Sequence, residues 1–234
     1  HFNWFNLQNL KQTNYYQNKS ELFSAIYVSK TFKDTINYPK LYTELKSYVQ
    51  QFLSIYNLKL PIKKISWFLH SNMTEYGTMS GMFGLTCLGN NSAGFSIRGE
   101  IHTNGFNTGL VKHEYSHFLF DNTIPQDNNP AFFVEGCVEY VTNLNDKDLF
   151  SKRVETAKKF KDTLNYIDLI INNKDFYGQY SEANYSVCGV FVKFIIGKFG
   201  IEAFKKYCAT ANKNEKTKDI FKVDFDTLVN SYKD

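Results

Sequence analysis

Two imidazoles and a carboxylate stand together in His113-Glu114-Tyr115-Ser116-His117. Residues four apart share a face of an α-helix, so His113 and His117 can offer nitrogen lone pairs to one metal ion, while Glu114 is offset from both. This is the H-E-x-x-H arrangement, in which the histidines ligate Zn2+ and the carboxylate acts as general base. A zinc that performs chemistry takes three protein ligands and keeps a fourth position open, so a third donor is required.

Glu135 supplies that donor. It lies in Phe132-Phe133-Val134-Glu135-Gly136-Cys137-Val138-Glu139-Tyr140-Val141, an apolar run of helical character in which Glu135 and Glu139 share one face. Burying a carboxylate is costly unless it is paired or coordinated, so two of them on an apolar helix call for a cation and a polar network. Glu135 is therefore assigned as the third metal ligand. Glu139 is assigned as the acceptor for a ring N–H of His113, since such a partner fixes the tautomer and orientation of a ligating imidazole. The bridge from Phe118 to Ala131 carries turn punctuation at Asp121-Asn122, Pro125 and Asp127-Asn128-Asn129-Pro130, and Pro130 suits a helix start.

These residues resemble the gluzincin metallopeptidases of the peptidase MA-like group, whose signature is H-E-x-x-H followed by a helix of the form x-x-E-G-x-x-E-Y. The matching residues are His113 to His117 and Val134-Glu135-Gly136-Cys137-Val138-Glu139-Tyr140, with 17 residues between His117 and Glu135. A late helix of the group reads Tyr, a mostly apolar stretch, then an aromatic and Gly, as Tyr185 to Gly200 does here. The resemblance makes Tyr185 the phenol that hydrogen-bonds the oxyanion of the tetrahedral intermediate, with Tyr180 as the alternative. The closing segment Phe225 to Tyr232 resembles the short final helix of such domains. Together the likeness spans residues 60 to 234 and implies a zinc-dependent hydrolase of peptide bonds, acting on a peptide or protein substrate.

The chemistry expected of these parts is coherent. Neutral His113 and His117 with anionic Glu135 leave a net positive zinc, which acidifies water and polarises a carbonyl. Glu114 takes the water's proton and returns it to the leaving amine. Related zinc aminopeptidases carry a Gly-x-Met-Glu-Asn motif whose acid holds the substrate's amino terminus. Here Met79-Ser80-Gly81-Met82 lacks that Glu, which favours an endopeptidase, with Glu75 or Glu100 as remaining candidates for an anchor. Two other classes fit the same residues: a zinc-binding, non-catalytic interaction module, which the intact Glu114 argues against, and a zinc hydrolase of a non-peptide amide or ester.

The elements that must position these groups can be read from pattern. Strands are expected at Phe23 to Ser29, Ile62 to His70, Gly81 to Leu88 and Gly94 to His102, with Gly89-Asn90-Asn91-Ser92-Ala93 as a turn and a helix over Tyr38 to Tyr56. After Gly109 the pattern is helical, with breaks at Asn122 to Pro130, Asn172 to Gly178 and Ala211 to Lys218. The expected fold is α+β and zincin-like: a small twisted, mostly antiparallel or mixed sheet packed on the H-E-x-x-H helix, followed by a helical C-terminal lobe. It forms one domain, with a mixed lobe over residues 1–117 and a helical lobe over 118–234, and a substrate cleft between them. Gly81 to Leu85 would lie beside that cleft and bind an extended substrate by strand addition. His102 and Glu100 are expected as edge or rim residues and His70 as structural.

Composition agrees with a globular chain: 43% of 234 residues are hydrophobic and 21% charged. The net charge of +4 is spread out, and the Lys-rich stretches Phe150 to Lys161 and Lys205 to Lys222 read as solvated helix faces rather than a nucleic-acid groove. No stretch reaches the roughly 20 apolar residues that span a bilayer. A start at His1 rather than Met is what removal of an upstream segment would leave, and loss of a signal peptide would put the protein outside the cell or in its envelope. Cys87, Cys137, Cys188 and Cys208 fit no zinc-thiolate spacing; buried thiols are expected, with a Cys137–Cys188 bridge open to a secreted protein.

Overall fold

The computed structural model describes residues 15–18, 20–31, 38–72, 74, 94–97, 99–104, 108–124, 129–144, 147–210 and 212–234. The chain is α+β and divides into two compact units, His1–Gln50 with Pro61–Phe118, and Gln51–Leu60 with Leu119–Asp234. The expected strand Gly81 to Leu88, its following turn, and Glu75, Met79 to Met82 and Cys87 lie outside the described residues.

The first unit holds a five-stranded sheet of β1 (Tyr15–Asn18), β2 (Phe23–Ser29), β3 (Ile65–His70), β4 (Gly94–Ile97) and β5 (Glu100–Asn104), in the order β1-β2-β3-β5-β4. Of the two pairings expected from sequence, mostly antiparallel or mixed, the first is corrected: the sheet is mixed, with a parallel centre. β2, β3 and β5 run parallel, and only the outer pairs β1–β2 and β4–β5 are antiparallel. Parallel neighbours need a crossover, and helix α1 (Tyr38–Ile55) lies in the chain between β2 and β3. The single strand expected over Gly94 to His102 is a hairpin instead. Gly99 takes a left-handed φ of 81°, and Ile97 pairs back onto Glu100.

Helix α2 (Thr108–Thr123) carries the H-E-x-x-H motif, and its residues up to Phe118 belong to this unit. It packs on the sheet through Tyr115, whose ring meets Phe23 edge-on at 5.2 Å; Phe23 in turn lies 5.7 Å from Trp67 of β3. The Trp67 indole donates to Thr103 Oγ1 of β5 at 2.9 Å, so three strands and the helix share one buried aromatic layer.

The second unit is helical: α3 (Ala131–Leu144), α4 (Lys147–Phe160), a π-helical turn (Ile167–Ile171), α5 (Ser181–Phe199), α6 (Ile201–Cys208), α7 (Lys213–Phe221) and α8 (Phe225–Lys233). Its core is aromatic, with Phe132, Phe133, Phe191, Phe204 and Tyr207 all buried. No helix among the described residues is long and apolar enough to cross a membrane. The described cysteines, Cys137, Cys188 and Cys208, are free and buried.

The break expected over Ala211 to Lys218 is corrected, because α7 occupies most of it. Asn212 caps that helix by accepting from Glu215 N at 3.2 Å, and Thr217 is buried against the Tyr207 hydroxyl at 3.1 Å. The buried Lys213 ammonium donates to the carbonyls of Tyr207 and Cys208 at the end of α6, where a helix exposes negative partial charge.

Helices α3 and α5 approach closely because both carry glycine at the contact. A Cβ on Gly136 would stand 2.8 Å from Cys188 O, and one on Gly189 would stand 3.0 Å from Glu139 Cβ. Gly136→Ala is therefore expected to destabilise the fold by about 1–3 kcal/mol, the usual scale of core overpacking. By contrast, a Cβ on Gly197 meets nothing within 4 Å, so Gly197→Ala should be neutral or raise stability by up to about 1 kcal/mol. Urea unfolding of the two variants checks the contrast.

Candidate metal centre

The two middle residues of the motif fix its roll on the sheet. Tyr115 is buried and donates to Leu22 O at 3.0 Å; burial pushes its phenol pKa well up, so it remains a donor. Ser116 donates to Lys112 O at 2.8 Å, and its hydroxyl also hydrogen-bonds that of Tyr48 on α1. With Tyr115 and Ser116 turned inward, His113 and His117 project together from another side of α2. Their Nε2 atoms stand 3.2 Å apart and their rings meet edge to face. Glu114 is 6% exposed, and the backbone of β4 passes beside it: a Cβ on Gly94 would come within 3.0 Å of Glu114 Oε1.

On α3, Glu135 and Glu139 are likewise each 6% exposed. The Tyr177 hydroxyl donates to Glu135 Oε1 at 2.9 Å. Glu139 Oε2 accepts from Asn143 Nδ2 at 2.8 Å and pairs with Arg153 Nη2 of α4 at 3.1 Å. Tyr185, on α5, has its ring edge-on to Phe176 at 5.1 Å and 6.5 Å from that of Tyr177. Burial first, and then the negative charge of Glu135, raise its phenol pKa. Tyr180 opens the same helix but is exposed, its ring 6.3 Å from that of Phe160.

Three partners of these carboxylates were not singled out in the sequence: Tyr177, Asn143 and Arg153. A signal existed for the last. The chain has two arginines, Arg98 and Arg153, among many lysines, and Arg is the cation suited to a partly buried carboxylate. Arg153 sits in the Lys-rich stretch read as a solvated face, which holds for most of that helix and fails at this residue. His102 and Glu100 also require correction as edge residues. β5 is paired on both sides, and His102 is fully buried, stacked on Phe68 at 4.7 Å, with its Nδ1 3.0 Å from His70 Nε2 and its Nε2 3.3 Å from Glu100 Oε2.

Among the described residues, His113, His117 and Glu135 each offer a ligand atom within 4.8 Å of the others. Two imidazole nitrogens and one carboxylate oxygen form a donor set suited to zinc, and three protein ligands leave a fourth position open. The 3.2 Å between the two Nε2 atoms also fits. With Zn–N bonds of about 2.0–2.1 Å it corresponds to an N–Zn–N angle of about 100°, near tetrahedral. Neither a family model nor a curated protein matches the chain. What the protein does is therefore read from its own residues.

Removing Arg153 would leave Glu139 buried with its charge less compensated. Arg153→Met is expected to cost about 1–3 kcal/mol, and a Glu139→Gln/Arg153→Met double variant should recover part of that loss. A double-mutant cycle by denaturant unfolding, run on metal-free protein, measures the coupling.

Proposed function

We propose that this chain is a zinc-dependent peptidase with a zincin-like fold, hydrolysing peptide bonds within a peptide or protein substrate. The observation that carries the reading is the convergence of His113, His117 and Glu135, on an H-E-x-x-H helix and an E-G-x-x-E-Y helix, into one donor group. Zinc bound there would acidify water and polarise the scissile carbonyl.

The chain's own residues do the rest. Glu114, held beside the ligand histidines and the β4 backbone, accepts the proton of the attacking water and delivers it to the departing amine. Tyr185 stays protonated, because burial and the charge of Glu135 raise its pKa, and so donates to the developing oxyanion. β4 is the outermost described strand of its sheet edge and runs beside Glu114, where an extended substrate would lie. Glu100, weighed as an anchor for a substrate's amino terminus, is engaged by His102, which supports endopeptidase over aminopeptidase action.

Metal analysis and cleavage of a quenched-peptide library test this reading. The wild type should carry one zinc and cleave. Glu114→Gln should retain the metal and lose activity by about 10²–10⁴-fold, the range of general-base catalysis. Zinc without cleavage would favour the interaction module or a non-peptide substrate, and the absence of zinc would refute the assignment.

A further inference from the structure

Tyr177 lies in none of the motifs, yet its hydroxyl reaches a buried carboxylate while its side chain is 66% exposed. An exposed tyrosine on a loop would ordinarily sample many rotamers, so the backbone that presents it matters. Residues 172–180 are tied down at several points. Asn173, at a left-handed φ of 49°, accepts from Ala131 N at 2.9 Å and so caps the very helix that bears Glu135. Asn184 of α5 donates to Phe176 O at 2.7 Å and to Asp175 O at 3.3 Å, and Lys174 N donates to Asp168 O at 2.8 Å. Phe176 is buried edge-on to Phe132 at 6.4 Å. The residue next to Tyr177 is thus an anchor in the core, and the loop shares its fixings with α3 and α5.

Resting on the zinc reading above, we propose that Tyr177 is a positioning residue that keeps Glu135 a one-oxygen ligand. A glutamate can bind a cation through one oxygen or both. The phenol O–H holds Oε1, directing coordination through the other oxygen, and the second binding mode is the one that would take up the position needed for water or substrate. Tyr177 touches no reacting atom in this account. Its effect passes through the carboxylate, as outer partners of metal ligands commonly act.

The experiment compares wild type, Tyr177→Phe and Tyr185→Phe, loaded with Co2+ as a spectroscopic probe and titrated with Zn2+ against a chromophoric chelator. Tyr177→Phe keeps the ring and removes only the donor. It should weaken the visible Co2+ d–d absorption, as a rise in coordination number does, and lower zinc affinity by about tenfold or more. On peptide substrate its kcat should fall with KM little changed. Tyr185→Phe should lower kcat while leaving the Co2+ spectrum as in wild type. If Tyr177→Phe has a wild-type spectrum and wild-type affinity, Tyr177 does not position the ligand and the inference falls while the metal site stands. If the wild type itself binds neither metal, both readings fall together.

Discussion

Glu135 and Glu139 sit one turn apart on α3, both buried, and the second unit is arranged around what that requires. Each carboxylate taken out of water costs several kcal/mol unless hydrogen bonds or opposite charge replace its hydration. Arg153 arrives from α4, Asn143 from the next turn of α3, and Tyr177 from the loop before α5. The same helix must also build the apolar core, where Phe133, Cys137, Val138 and Val141 are buried. Both demands fall on 14 residues, and glycine at 136 and 189 reconciles them by letting α5 close to backbone distance.

α2 meets the opposite problem. Its buried polar groups include Glu114 and Ser116 of the H-E-x-x-H motif, and apolar residues surround them rather than forming one stripe. Val111, Tyr115, Phe118, Leu119 and Phe120 are all buried, yet so are Glu114 and Ser116. A helix enclosed in this way cannot roll freely to find its best apolar contact. Its orientation depends on specific hydrogen bonds, those of Tyr115 to Leu22 and of Ser116 to Tyr48, which occupy the variable positions of the motif.

What was legible in the sequence follows from how local each signal is. β2 and α1 were read almost to the residue, because the aromatic and β-branched run over Phe23 to Ser29 and the helical periodicity over Tyr38 to Tyr56 are properties of the segments themselves. That His113, Glu114 and His117 share one helix was legible for the same reason. α7 was not, because its polar residues show no apolar stripe and its stability comes from a cap and from Thr217 against Tyr207. Strand order was not legible either, and His102 was misplaced with it: whether an alternating strand lies inside or at the rim depends on neighbours far along the chain. Tyr177 and Arg153 belong to that class of long-range contact, made by residues whose surroundings in sequence read as loop and as solvated helix.

The cluster of Cys137, Cys188 and Cys208 has a different use. All three are buried, and burial pushes the thiols of Cys137 and Cys188 up. A buried, protonated thiol is chemically silent, because the thiolate is the nucleophile and must be reached by the reagent. Alkylation of these cysteines consequently waits on opening of α3, α5 or α6 toward solvent. The helical unit carries its own internal clock: the labelling rate of each thiol reads the frequency with which that helix leaves the core, without any introduced probe.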